Sequence, residues 1–258
     1  MLPIDSSFVQ VALYSLMSCL AGTCVYLGEF DPSQSNNKII AVPRSTSRAT
    51  EYHDRIFNFP LSRMIVTLKF FIVKYVSLAS GILQGVYILW RHYNGLPLSP
   101  YANQALAFNS IAIFAFLLRI WCYHTLKQAF TYKLKVTEDQ KIITTGPYTY
   151  LAHPNYTGLL LTLISLYGAL MGPYNALLDG LEDKPFIDLT LFKLLHIDSP
   201  RSIFLTFTMA GAVYTTCWFF YFITYLRIAD EEAMLRSHFG KRYDEFLSKR
   251  WRMIPFVY

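Results

Sequence analysis

Five long apolar runs constrain this chain more than any other feature. They extend from about Phe8 to Leu27, Met64 to Trp90, Ala105 to Leu126, Tyr156 to Leu178 and Ile203 to Leu226. A helix rises about 1.5 Å per residue, so about 20 mostly apolar residues cross a ~30 Å hydrocarbon core. Five such runs predict an all-α integral membrane protein of about five transmembrane helices, because helices satisfy their own backbone hydrogen bonds in lipid. Soluble domains carry about 25% charged residues. Here the charged share is 16%, the hydrophobic share 53% and the mean hydropathy +0.30. With 17% aromatic residues, disorder, collagen and coiled coil are excluded. No basic residue precedes the first run, which therefore reads as a retained span, with a signal peptide as the alternative. Lys69 and Lys74, early in the second run, suit either snorkelling to an interface or facing a polar groove.

The net charge of +6 is compatible with nucleic acid, an anionic membrane surface or neither, so its distribution has to decide. Five spans put the termini on opposite sides. One side then holds residues 29–63, 127–155 and the tail from 227, with sixteen Lys and Arg; the other side holds four. By the positive-inside rule the C-terminal tail faces the cytoplasm and the N-terminus the lumen or exterior. Topology accounts for the basic excess, and no nucleic-acid partner is expected. The acidic loop 179–202 falls on the far side. Cys19, Cys24, Cys122 and Cys217 each sit in an apolar run without metal-ligand spacing, so neither a disulfide scaffold nor a metal site is expected.

Residues 29–60, rich in Ser, Asn and Pro, read as a loop with little regular structure. The segment 127–155 reads as a cytoplasmic loop with a short extended piece around Lys141–Thr144, broken by Gly146 and Pro147. The tail 227–251 reads as helix. Ile228, Leu235, Phe239, Tyr243, Phe246 and Leu247 form an uneven apolar stripe, and Gly240 marks a break between two pieces. Such a helix lies at the membrane surface or folds back over the spans.

Two cytoplasmic stretches concentrate polar groups where spans meet water. The first, Thr145 to Gly158, reads TGPYTYLAHPNYTG and leads into the fourth run. Pro154 suits the first turn of a helix, where its missing N–H costs nothing. His153 would then stand at a helix N-terminus, where backbone N–H groups favour an anion. Tyr148, Tyr150 and Tyr156 add hydroxyls and aromatic faces. Taken alone, this stretch suits an ordinary interfacial helix start equally well. The second stretch follows the fifth run: Arg227, Asp230, Glu231 and Glu232 lie within the first turns of the emerging helix. Arg227 and Glu231 are four apart and share a face. Alone, these charges also suit plain dipole complementation.

Together the two stretches resemble the isoprenylcysteine carboxyl methyltransferase family. The resemblance rests on T-G-P-Y-x-x-x-x-H-P-x-Y-x-G before one span and R-x-x-x-E-E-x-x-L-x-x-x-F-G-x-x-Y after the next. Leu118, Arg119 and Trp121, the stretch Leu126 to Thr131, and the closing Arg252 to Pro255 are also similar. It covers about residues 116–256, so a core over 101–258 is expected to carry the activity, with 1–100 supplying N-terminal spans and a loop in one polytopic domain.

What the resemblance implies is a cytoplasm-facing pocket for S-adenosylmethionine, closed by the helical tail and free of metal. By likeness, Tyr148, His153, Pro154, Asn155 and Tyr156 bind the donor, with Lys141, Ile142, Ile143 and Thr144. Glu231 is the donor-binding acid, Glu232 supports it, and Arg227 holds the acceptor carboxylate. The donor carboxylate is expected at the His153 helix start. Implied partners are prenylated CaaX-type proteins and the lipid bilayer, at the endoplasmic reticulum membrane. Phospholipid or other small-lipid methylation is the nearest alternative, and a non-catalytic membrane relative the next. One position departs from the pattern: relatives commonly have Arg immediately before the His, and this chain has Ala152.

Overall fold

The computed structural model describes residues 6–28, 49–51, 60–99, 102–130, 134–170 and 199–256. They are mostly helical. Helices α1 (Ser6–Gly28), α2 (Pro60–Tyr93) and α3 (Ala102–Leu126) cover the first three apolar runs, and α4 (Pro154–Ser165) and α5 (Pro200–Phe219) cover parts of the fourth and fifth. Among the described residues, three helices are long and apolar enough to cross a membrane: Phe8–Gly28, Ala102–Leu126 and Ser202–Phe239. The second run is helical over the whole of α2. The fourth is described only to Leu170, where a wide π-type turn, Leu166–Leu170, follows α4. Its remainder and most of the acidic loop lie outside the described residues.

The chain groups into two compact units, each drawn from three segments. One comprises residues 1–26, 74–113 and 161–216; the other comprises 27–73, 114–160 and 217–258. In the first unit, α1 and α2 approach until their backbones touch. A methyl group on Gly22 would lie 2.7 Å from the Ser77 carbonyl, and one on Gly81 would lie 2.7 Å from the Ser18 carbonyl. Small residues allow this approach, which in lipid gains van der Waals contact that larger side chains would block. Polar side chains at the crossing hydrogen-bond within this unit, although Asn109 Oδ1 is buried without a hydrogen-bond partner. Ser15 Oγ donates to the Gly85 carbonyl at 2.8 Å, and Gln84 Nε2 donates to the Ala169 carbonyl at 2.8 Å. Asn109 Nδ2 donates to Ser18 Oγ at 3.1 Å.

In the second unit, strands β1 (Ala49–Glu51) and β2 (Lys135–Thr137) pair antiparallel. Within 29–60, which the sequence reads as a loop with little regular structure, the described residues include the three-residue strand β1. The expected extended piece at Lys141–Thr144 has no regular structure; the strand forms six residues earlier. Its position follows from burial: Leu134 and Val136 pack with Met234. A turn then ends it, since Gln140 N–H donates to the Thr137 carbonyl at 3.0 Å.

The tail behaves as its sequence predicts. Helix α6 (Ala229–Phe239) and helix α7 (Lys241–Ser248) meet at Gly240, whose φ is +57°. No side-chain-bearing residue adopts that angle without strain. On α7, Tyr243 and Phe246 are buried with stacked rings, 5.7 Å between centroids. A nine-residue π-type segment, Phe220–Ile228, joins α5 to α6 and was not anticipated. It carries Arg227, and such widened turns are frequent at functional sites.

Candidate active site

The site is built from one loop, two helix starts and the tail, all within the second unit. The loop turns at Gly146 (φ +61°), where a Cβ would meet Thr125 Oγ1 at 2.9 Å and Trp121 Nε1 at 3.1 Å. Only glycine fits that angle against those neighbours. A short 3-10 turn, Gly146–Thr149, then buries Pro147 and Tyr148. Pro154 opens α4 as its first helical residue, where proline is pre-organised and lacks only an N–H that the helix would not use.

The tail returns across this loop after α7. Ala152 N–H donates to the Trp251 carbonyl and His153 N–H to the Arg252 carbonyl, both at 2.8 Å. Thr157 Oγ1 donates to the Met253 carbonyl at 2.7 Å, and Arg250 Nε to the Tyr148 carbonyl at 2.7 Å. Further along, the N–H groups of Tyr156 and Thr157 turn to the His153 carbonyl. The N–H groups of Ala152, His153, Tyr156 and Thr157 are thus engaged within the chain, and Pro154 has none to offer.

What faces His153 instead is acidic. Its Nε2 lies 3.4 Å from Glu232 Oε1, and its Nδ1 lies 3.8 Å from Glu231 Oε1. Glu232 also meets Arg252 Nε at 2.7 Å and Arg236 Nη2 at 3.2 Å. Glu231 accepts a 2.7 Å hydrogen bond from Tyr156 Oη, and that same hydroxyl accepts one from Arg227 Nε at 3.3 Å. The expected relation of Arg227 to Glu231 thus includes a bridge, the Tyr156 hydroxyl from the neighbouring helix. His153 and Glu232 are each 4% exposed and Arg227 is 8% exposed. Charges so buried persist only when paired and hydrogen-bonded.

A cavity of about 130 Å³ opens beside this network. Tyr148, His153, Asn155, Tyr156, Arg227 and Glu231 line its polar side, with Lys141, Ile142 and Ile143 also on the wall. Three expected residues do not line it. Thr144 is exposed and accepts from Thr149, Pro154 is buried in the helix start, and Glu232 turns behind His153. Burial pushes the Tyr148 hydroxyl well above the ordinary tyrosine value, so it remains a neutral donor.

Several wall residues were missed as site residues. Leu134 stands just before β2, Met234, Leu235 and Phe239 come from α6, and Tyr243 and Phe246 from α7. The tail's apolar stripe was legible, but nothing in its spacing said that it would face a cavity. Ala152 is also on the wall and packs against Tyr243 and Phe246. Arg119 is buried in α3, donating to Asn155 Oδ1 at 3.3 Å and to Tyr123 Oη at 2.9 Å. It sits behind a lining residue and not on the wall.

The arrangement combines an acid, a buried guanidinium and an aromatic, apolar wall in one cleft. Among the described residues, no cluster of His, Cys, Asp and Glu could hold a metal ion. Residues 105–178 match the family model described as the isoprenylcysteine carboxyl methyltransferase family. No curated protein matches the chain. The matched segment includes the turn at Gly146 and the residues from Tyr148 to Tyr156, and it stops short of Arg227 and Glu231. Over residues 105–178, therefore, the chain is similar to the isoprenylcysteine carboxyl methyltransferase family.

Proposed function

We propose that this chain methylates the C-terminal carboxylate of a prenylated cysteine, using S-adenosylmethionine and forming a methyl ester. The observation that carries this reading is the Tyr156 hydroxyl, which joins Glu231 at 2.7 Å to Arg227 at 3.3 Å on one cavity wall. It sets a group suited to a cationic donor beside a group suited to an anionic acceptor.

S-adenosylmethionine, when bound, supplies a methyl group on a positively charged sulfur together with an ammonium, a carboxylate and a ribose diol. The chain's residues fit those groups. Glu231 suits the ammonium or the diol, and the acids beside His153 favour that positive end over the carboxylate first expected there. Leu235, Phe239 and Tyr243 give an apolar, aromatic wall for a flat ring. Arg227 pairs with the acceptor carboxylate and fixes its direction in a partly dry site. A C-terminal carboxyl group titrates near about 3.5, so it is already ionised at neutral pH and no side chain has to remove a proton. Methyl transfer is an in-line displacement, and the residues contribute by positioning. An apolar prenyl chain would reach the site from the bilayer, and the charge asymmetry between loops supports a cytoplasm-facing tail in an endoplasmic reticulum enzyme.

The test is incubation of the purified chain with labelled donor and either a farnesylcysteine analogue or phosphatidylethanolamine. Label is expected in the cysteine analogue as base-labile ester. Glu231→Ala should abolish donor binding while the chain stays folded. Absence of donor binding by the wild type, or label found only in the phospholipid, would overturn the reading. Running Ala152→Arg alongside shows whether the departure at that position alters acceptor choice.

A further inference from the structure

We propose that Arg252 is a positioning residue of this site, acting through Glu232 on His153. Arg252 does not line the cavity, yet it grips His153 twice. Its carbonyl accepts the His153 N–H at 2.8 Å. Its guanidinium meets both oxygens of Glu232, Nε to Oε1 at 2.7 Å and Nη2 to Oε2 at 3.3 Å. The same Oε1 lies 3.4 Å from His153 Nε2. Glu232 therefore works as a relay, with one oxygen shared between the arginine that orients it and the imidazole that it orients.

Burial makes this relay directional. Glu232 and His153 are enclosed, while the Arg252 side chain is 37% exposed. A carboxylate removed from water needs its lone pairs filled, so its orientation follows the guanidiniums that fill them. Arg236 supplies a second partner at 3.2 Å, but from the same helix as Glu232 and on the other oxygen. Among the described side chains that meet Glu232, Arg252 alone comes from the tail beyond α7. The neighbouring tail residues clamp the loop through backbone carbonyls, as the bonds from Ala152 and Thr157 show. Those bonds survive a change of the Arg252 side chain. The relay can thus be cut while the clamp remains.

This inference rests on the proposed function only for the identity of the ligand. The experiment measures affinity for S-adenosylhomocysteine by calorimetry, and the unfolding temperature, on the purified full chain. Arg252→Met is expected to weaken binding about tenfold, as loss of an outer orienting partner does elsewhere. Arg252→Lys should restore part of it through a single point charge. Thr157→Val removes a clamp bond without touching the relay and should leave affinity within about twofold. Glu232→Gln combined with Arg252→Met should lose little more than either alone, because both cut one path.

Wild-type affinity in Arg252→Met, fully additive losses, or an equal loss in Thr157→Val would each overturn the relay. If the wild type binds no S-adenosyl compound, the proposed function fails instead. The relay is then judged on unfolding temperatures of Arg252→Met, His153→Gln and their combination, where additive shifts overturn it and non-additive shifts uphold it.

Discussion

At the crossing of α1 and α2, Ser15 reaches the Gly85 carbonyl and Gln84 reaches the Ala169 carbonyl, with no charge involved. At the loop and tail, by contrast, Glu232 faces two guanidiniums and an imidazole. Both regions bury polar groups and pair most of them within the chain, Asn109 Oδ1 of the first being buried without a hydrogen-bond partner. The first does so with small neutral residues that let backbones touch, which secures packing and little else. The second holds charges that are costly to desolvate and that stabilise the fold less than apolar residues of the same volume would. Charge buried at such cost is expected where orientation matters, and it lies beside the cavity.

The sharpest way to break the first region is Gly81→Leu. Any Cβ there meets backbone at 2.7 and 2.9 Å, and backbone cannot rotate away. The expected loss is about 3 kcal/mol or more, seen as aggregation on size-exclusion chromatography in detergent. A normal elution profile and unfolding temperature would show that the two helices separate freely.

The counterpart in the second region is Glu232→Ala. Loss of the shared carboxylate takes a partner from Arg252, Arg236 and His153, although Arg236 keeps Asp244 at 2.9 Å, and a buried pair broken on one side costs about 3–5 kcal/mol. Both arginines are partly exposed, at 37% and 43% of their side-chain surface, so water repays part of that. About 2 kcal/mol is expected, measured as a lower unfolding temperature. An unfolding temperature that rises would mean the carboxylate is pure cost.

The smallest effects separate the regions best. Ser15→Ala removes one neutral hydrogen bond and should cost about 1 kcal/mol with ligand affinity unchanged. Tyr156→Phe also removes one hydroxyl, with a similar small cost in stability, but it severs the bridge between Glu231 and Arg227. Only the second is expected to weaken S-adenosylhomocysteine binding, and equal affinities in the two variants would erase the distinction.

Much of this arrangement was legible beforehand because it is local. Pro154 opens α4 since its fixed φ suits a first turn, and Gly240 divides the tail since only glycine takes its angle freely. The misplaced strand had no such local marker. Lys135–Thr137 pairs because Val136 is buried beside Met234, a neighbour nearly one hundred residues along the chain. The π-type segment before α6 likewise has no compositional sign, since its residues continue the apolar run.

By itself, the order of residues determined the apolar helices, the charge asymmetry between loops, the turn at Gly146 and the two-part tail. Hydropathy, helix length and backbone angle are properties of neighbouring residues, so they can be read from neighbours. Tertiary structure alone decided which of two adjacent acids faces the cavity. Glu231 turns to it and binds Tyr156, while Glu232 turns to His153, 79 residues before it, and to Arg252, 20 residues after it. Successive helical residues point about 100° apart, and only the folded chain shows what stands in each direction.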